Sequence, residues 1–149
     1  MDYPALSLAG ALALLFISSF VAATLIPLSS EVVLAGLLAA QFEPWLLLIV
    51  ALVGNTLGAS VNWFLGYRGI DLLRRKLSPF NARQLDRGTR AFKKFGILSL
   101  LFSWLPIVGD PLTFAAGVLK VPFATFLLPV AFGKAVRYLV VMAAALHFA

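Results

Sequence analysis

The sequence contains no cysteine and a single histidine, His147. Disulfide bonds, thiolate metal sites and cysteine nucleophiles are therefore excluded, and one histidine cannot build a histidine metal cluster, so we expect no metal and no cofactor. Charged residues are also scarce, at 12% of the 149 residues against about 25% in soluble proteins, whereas 62% are hydrophobic. These proportions predict a single integral membrane domain over residues 1–149.

Basic residues are missing from the first 67 positions, so the charged start of a secretory signal is absent. Between Arg68 and Lys94, nine basic residues stand against two acidic ones, a local net charge of +7. A basic block between apolar tracts follows the positive-inside bias, so we predict a basic cytoplasmic segment over 68–95 and no nucleic-acid partner. Its leucines and phenylalanines, broken at Ser78-Pro79, favour two short amphipathic surface helices, with a solvated loop as the alternative for the middle.

Five apolar pieces follow one another along the chain: Ala5–Ile26, Val32–Gln41, Pro44–Tyr67, Gly96–Lys120 and Pro122–Phe148. The second piece is only about 15 Å of helix, half of a hydrocarbon core of about 30 Å, so it cannot span alone. The fourth is long enough to span but is interrupted at Pro106–Pro111. Both features predict re-entrant hairpins, whose freed backbone groups must be covered by protein or water.

The two hairpins share a spacing, because Pro27 precedes Glu31 by four residues and Pro106 precedes Asp110 by four. A short apolar arm and then a long helix follow each acid. We therefore predict an all-α membrane protein with an inverted repeat, in which each half is a re-entrant helical hairpin plus a transmembrane helix. The basic segment would link repeat one, about 5–67, to repeat two, about 96–148. Chance spacing of proline and acid is the alternative.

Glu31 and Asp110 are predicted to be proton-responsive, since a carboxylate inside a membrane segment is costly and by default implies a function or a specific partner. The alternative is that both only cap the hairpin turns. Lys134 lies about 18 Å along the last apolar piece, near mid-bilayer, with Arg137 one turn further on the same face. An electroneutral cluster of two acids and two bases follows, as a fixed ion network or with the bases holding an anionic headgroup. Snorkelling of Arg137 to the interface is the alternative.

Small residues recur every four positions in the third piece and predict close helix packing: Gly54, Gly58, Asn62 and Gly66. Helix packing or cavity lining is also predicted in the second broken segment, for Trp104, Pro106 and Gly109. Val108-Gly109-Asp110 distantly resembles the GxGD motif of intramembrane aspartyl proteases. Ile107 replaces the first glycine, however, and no second intramembrane aspartate exists, so no enzyme activity is expected.

Four stretches of the chain together resemble the DedA family, also called the VTT or SNARE-associated domain family, and most closely its short YqaA-type branch: Pro27–Leu34, Gly54–Arg68, Pro106–Gly117 and Gly133–Tyr138. The resemblance implies two facing re-entrant hairpins and the movement of polyprenyl phosphate or phospholipid across the inner membrane, driven by the proton motive force. It also implies that Glu31 is the family's acidic residue in the first hairpin. Typical members carry arginines at the positions of Ser103 and Gly109, and Lys134 with Arg137 could replace that charge.

We therefore predict a multi-pass protein of the bacterial inner membrane that translocates or scrambles an anionic lipid, with proton coupling. Its predicted partners are membrane lipids, including undecaprenyl phosphate, and protons. Longer members have an extra helix, and formation of a homodimer could supply the missing cover. Two alternatives stay open: a small proton-coupled exporter of amphipathic drugs, which would need Glu31 but not Arg137, and a non-transporting membrane scaffold.

Overall fold

The computed structural model describes residues 7–24, 30–74, 79–105 and 108–148. Within these ranges the chain is helical and contains no strand, which confirms the predicted all-α class. The elements in chain order are α1 (Leu8–Ala22), α2 (Ser30–Ala39), α3 (Pro44–Arg74), α4 (Pro79–Phe95), a 3₁₀ helix (Gly96–Trp104), α5 (Gly109–Val118) and α6 (Phe123–Phe148).

Two of the described helices are long and apolar enough to cross a membrane, Pro44–Gly69 within α3 and all of α6. Each stretch has 26 residues, about 39 Å of helix, which exceeds a hydrocarbon core of about 30 Å. α2 and α5 have ten residues each and are too short to span alone. The fourth apolar piece is divided into the 3₁₀ helix and α5, on either side of the predicted interruption.

The basic segment differs from the prediction in its first part. α3 does not end at Tyr67 but continues to Arg74, because no proline interrupts it there, so the first predicted surface helix is the end of α3. α4 is the second, and it is strongly amphipathic. The basic residues of α4 are all exposed: Arg83, Arg87, Arg90, Lys93 and Lys94.

The helix pairs α2–α3 and α5–α6 have the same order and spacing along the chain. α2 and α5 have equal lengths and begin 79 residues apart, and the starts of α3 and α6 are separated by the same 79 residues. Each short helix ends in the same hydrogen-bonded turn, with one residue in the left-handed region, Gln41 at φ 64° and Lys120 at φ 55°. In both turns the backbone N–H of the following residue, Phe42 or Val121, donates a hydrogen bond to the carbonyl oxygen of the helix residue five positions earlier. This Schellman geometry satisfies carbonyls that would be costly to leave bare in an apolar medium.

Glycines set the position of α3 between α1 and α5. A Cβ on Gly54 would lie 2.7 Å from the carbonyl oxygen of Phe16 in α1, and one on Gly58 would lie 2.8 Å from Cβ of Ala23. Gly66 faces the backbone of α5 in the same way. The small-residue stripe therefore packs against α1 at its start and against α5 at its end, which brings three helix backbones together.

Two apolar clusters flank the centre of the molecule. One is formed by α1, α2, α3 and α6, and the other by α3, the 3₁₀ helix, α5 and α6. Large apolar side chains also cover the outside, for example Leu128, which is 75% exposed, and Phe132, which is 64% exposed. Such an apolar exterior suits a bilayer and would be a liability in water. The polar side chains described next lie between the two clusters.

Candidate functional site

Two asparagines of α3 satisfy backbone groups at the end of α1. The Asn55 side-chain amide donates to the Ser19 carbonyl oxygen at 3.1 Å, and that of Asn62 donates to the Ala23 carbonyl oxygen at 2.7 Å. Asn62 also donates to the Thr113 hydroxyl of α5 at 3.3 Å. The Ser19 carbonyl also accepts from the Ala23 N–H, whereas the Ala23 carbonyl lies past the last turn, where carbonyls lack partners within the helix, so the Asn62 amide allows α1 to end inside the protein. Asn62 is thereby a link between α1, α3 and α5.

Lys134 lies in the middle of α6 and is buried, with 1% of the residue exposed. Its ammonium group donates a hydrogen bond to the side-chain oxygen of Asn55, so this asparagine joins α6 to α1 through α3. Lys134 also interacts electrostatically with Asp110. A buried cation is tolerated where an acceptor and an acid compensate it, and both are present here.

Glu31 and Arg137 form an ion pair between the first turn of α2 and α6. Their side chains are 22% and 24% exposed, so this pair is within reach of molecules outside the protein, unlike Lys134. The neighbouring residue on each helix, Ser30 before Glu31 and Tyr138 after Arg137, adds a second link, because their hydroxyls lie 2.9 Å apart. The Ser30 hydroxyl therefore connects α2 to α6.

Asp110 lies in the first turn of α5, as Glu31 lies in that of α2. It interacts electrostatically with Lys134 and, more weakly, with Arg137. The structure therefore brings the two predicted acids and the two predicted bases into one cluster. Among the described residues, no group of three His, Cys, Asp or Glu side chains could hold a metal ion.

The remaining predicted residues occupy different surroundings. Gly109 packs against the backbone of Ser103, and a Cβ there would collide with it. Ser103 is buried, and its hydroxyl makes no hydrogen bond within the part of the chain that the structure describes. Trp104 is 40% exposed and lies on the surface. Pro106 lies outside the described residues, as does Pro27.

Sequence reasoning did not single out Asn55 as a site residue, although a signal was present. Asn55 and Lys134 are separated by the same 79 residues as Glu31 and Asp110. An alignment of the two halves at that offset would have paired the asparagine with the lysine. Ser30 and Tyr138 carry no such signal, because a serine at the start of a helix is usually read as a cap.

An open, almost entirely apolar groove of about 350 Å³ runs between α2 and α6 from the ion pair outward. Its lining residues are Glu31, Val32, Ala35, Val141, Ala144, Ala145 and Phe148. Glu31 is the charged residue among the described residues that line it. The site thus combines a partly exposed ion pair, a buried cation and an apolar surface beside the pair.

Comparison with known proteins agrees with the membrane character of this arrangement. The VTT domain matches residues 26–145. The chain is 43% identical over 131 residues to the inner membrane protein YqaA of Escherichia coli K12, which covers 87% of each chain, and equally to that of Shigella flexneri. It is 33% identical over 142 residues to an uncharacterized protein of Haemophilus influenzae, covering 90% of this chain and 87% of the other.

No solved structure matches the chain. The VTT match extends from before α2 almost to the end of α6 and so includes all four charged residues of the cluster. With this match and relatives that are inner membrane proteins, the chain belongs to the VTT domain family, also called the DedA family.

Proposed function

We propose that this protein moves an anionic lipid, a polyprenyl phosphate or a phospholipid, across the inner membrane. The observation that carries the proposal is the ion pair of Arg137 and Glu31 at the edge of an apolar groove. An anionic lipid has a charged headgroup and an apolar chain, and this place offers a cation and an apolar surface side by side. Lys134 would be the second, deeper headgroup contact.

Proton coupling would act through the competition for Arg137. While Glu31 is ionised, its carboxylate occupies the guanidinium. A proton on Glu31 would release the guanidinium, which binds phosphate oxygens in a bidentate, charge-assisted geometry. Asp110 would respond in the same way toward Lys134. Without a ligand, the two acids and two bases balance each other. With both acids protonated, the charge of a bound phosphate would balance the two bases. The cluster would stay close to neutral in both states, which keeps the cost of charge in the membrane low.

The family resemblance and the helix lengths support α2 and α5 as parts of re-entrant hairpins in an inverted repeat. Each is about 15 Å long, each begins beside an acid, and each is followed by a helix long enough to span. Half-helix N-termini are where transporters bind charged substrate groups near mid-membrane. A multi-pass topology in the inner membrane, the absence of enzyme activity and a homodimer complete the proposal.

The experiment measures transbilayer movement of labelled undecaprenyl phosphate and labelled phosphatidylglycerol in proteoliposomes, with and without a pH gradient. Glu31→Gln and Arg137→Ala are compared with the wild type, and Arg90→Ala, an exposed arginine of α4, is the matched control. We expect both site variants to lose movement and the control to keep it. A dependence on the gradient would establish coupling, whereas gradient-independent movement would leave a passive scramblase.

Other outcomes contradict the proposal. If the folded wild type moves neither lipid, the lipid function is wrong. If export of a lipophilic cation requires Glu31 but not Arg137, the protein is a drug exporter. If exchange of the charges, as Glu31→Arg with Arg137→Glu, restores full stability and no transport is found, the cluster only fixes helix positions.

A further inference from the structure

The groove between α2 and α6 is continuous with the ion pair along one face of α6. Val141 lies one turn beyond Arg137, and Phe148 lies three turns beyond, about 16 Å further along the helix axis. On α2, Ala35 is one turn beyond Glu31. The groove therefore leads away from the charged end in one direction.

Small side chains create the groove. Three alanines, Ala35, Ala144 and Ala145, lie on its walls, with valines between them and Phe148 at the far end. Small residues on two membrane helices usually bring the helices into contact. Here they leave an open channel instead, whose width depends on the absence of larger side chains.

We infer that this groove holds one hydrocarbon chain of the anionic lipid, next to the headgroup on Arg137; this assignment rests on the proposed function. The argument for a lipid chain is the apolar lining next to the ion pair: Glu31 is the charged residue among the described lining residues, and its partner Arg137 provides a cation at that end once Glu31 is protonated. An anionic amphiphile would meet a cation at that end and apolar walls along its chain. Because bulk lipid is equally apolar, the fit of the chain to the groove, rather than the hydrophobic effect, would provide selectivity.

The volume limits how much of the lipid is held. About 350 Å³ is near the lower end of the range for small-molecule pockets. The groove would therefore hold the part of one chain closest to the headgroup and leave the remainder in the bilayer. Binding of this kind would not depend on the total length of the lipid's hydrocarbon chain.

The test uses two photoactivatable probes, a prenyl phosphate and a phosphatidic acid, each with a diazirine in the chain near the headgroup. They are crosslinked to the full-length protein in nanodiscs, and the labelled peptides are identified by mass spectrometry. We expect labels within 141–148 of α6 and 32–35 of α2. Labelling by only one probe would identify the lipid class that the groove accepts.

Ala144→Phe fills the groove, and Ala143→Phe is the matched control, since Ala143 is an exposed neighbour on α6 that does not line it. We expect Ala144→Phe to lower labelling by about tenfold or more, the range expected when a packed site is overfilled. Ala143→Phe should label like the wild type. Thermal melting of both variants confirms that each is folded, and Ala144→Leu gives a smaller obstruction for the same comparison.

The groove and the proposed function can fail separately. Equal labelling and lipid movement in Ala144→Phe and Ala143→Phe would overturn the groove assignment while leaving lipid movement intact. Labelling of the groove without movement of either lipid would overturn the function and keep the binding site. Crosslinks between two copies of the chain, lost in Ala144→Phe, would assign the groove to a dimer contact and overturn the lipid-chain inference.

Discussion

The short helices of the α2–α3 and α5–α6 pairs match in length and in their spacing to the following long helix, but they are buried to different extents. In α5, Gly109 and all of residues 111–117 are buried, whereas α2 buries only Ser30, Leu34, Leu37 and Leu38. This difference in burial comes from the neighbouring elements. α5 contacts α3, α4 and the 3₁₀ helix, whereas one side of α2 is open and lines the groove. The same local plan therefore gives one enclosed and one accessible short helix.

The charged residues follow this difference. Glu31, on the accessible helix, pairs with the partly exposed Arg137 and lines the groove. Asp110, on the enclosed helix, has the buried Lys134 as its stronger electrostatic partner. At the equivalent place in the first pair stands Asn55, which is neutral and accepts the hydrogen bond of Lys134. The accessible pair is therefore the one that molecules outside the protein can reach, whereas the enclosed pair links helices at the centre.

The largest expected effect comes from breaking the enclosed pair with Lys134→Met. The change keeps a long apolar stem but removes the charge, so Asp110 loses its stronger counter-ion and Asn55 loses a donor. Removing one partner of a buried ion pair costs about 3–5 kcal/mol. We expect a fall of that order in the free energy of unfolding, measured by denaturant titration in mixed micelles.

The control is the double variant Lys134→Met with Asp110→Asn, which removes both charges together. It should recover much of the loss, because no uncompensated charge remains. The partly exposed pair supplies the contrast, because Arg137→Met should lower the free energy of unfolding clearly less. Equal losses for Lys134→Met and Arg137→Met would contradict the division into an enclosed and an accessible pair.

The second expected effect is on packing, at Gly117 of the enclosed helix. A Cβ there would lie 2.9 Å from the Tyr67 amide nitrogen and closer still to the Trp63 carbonyl oxygen, both backbone atoms of α3. Neither can move as a flexible side chain would. Gly117→Ala should therefore destabilise the protein by about 1–3 kcal/mol, the usual cost of overpacking. An unchanged thermal midpoint would show that α3 and α5 are not in close contact.

Much of this arrangement was predictable because it depends on local chemistry. Apolar content and the lengths of the apolar pieces predicted the helical class and the two long helices, and proline spacing predicted the matched short helices. The extension of α3 to Arg74 was missed, since charged residues near a membrane edge do not by themselves end a helix. The turns at Gln41 and Lys120 were also missed, because left-handed turns after helices usually contain glycine.

The contacts within the site required the tertiary structure. Periodicity placed Lys134 deep in its helix but could not show that Asn55 is its acceptor, because that contact joins residues on different helices. The position of Trp104 on the surface and the alanine groove beside Glu31 likewise depend on which helices become neighbours. Alanines in an apolar sequence give no sign of whether they close a helix contact or leave a groove.

The smallest expected effect sharpens the comparison at Gly36 of the accessible helix. A Cβ on Gly36 meets no atom within 4 Å, and the equivalent position in α5 is Ala115, which is buried. Glycine inside a helix is less favourable than alanine by about 0.5–1 kcal/mol, so Gly36→Ala should raise the thermal midpoint slightly and leave lipid movement unchanged. Gly117→Ala, the same substitution on the enclosed helix, is the control and should lower the midpoint. A loss of stability in Gly36→Ala would mean that α2 has a neighbour on its open side, as a second copy of the chain would provide.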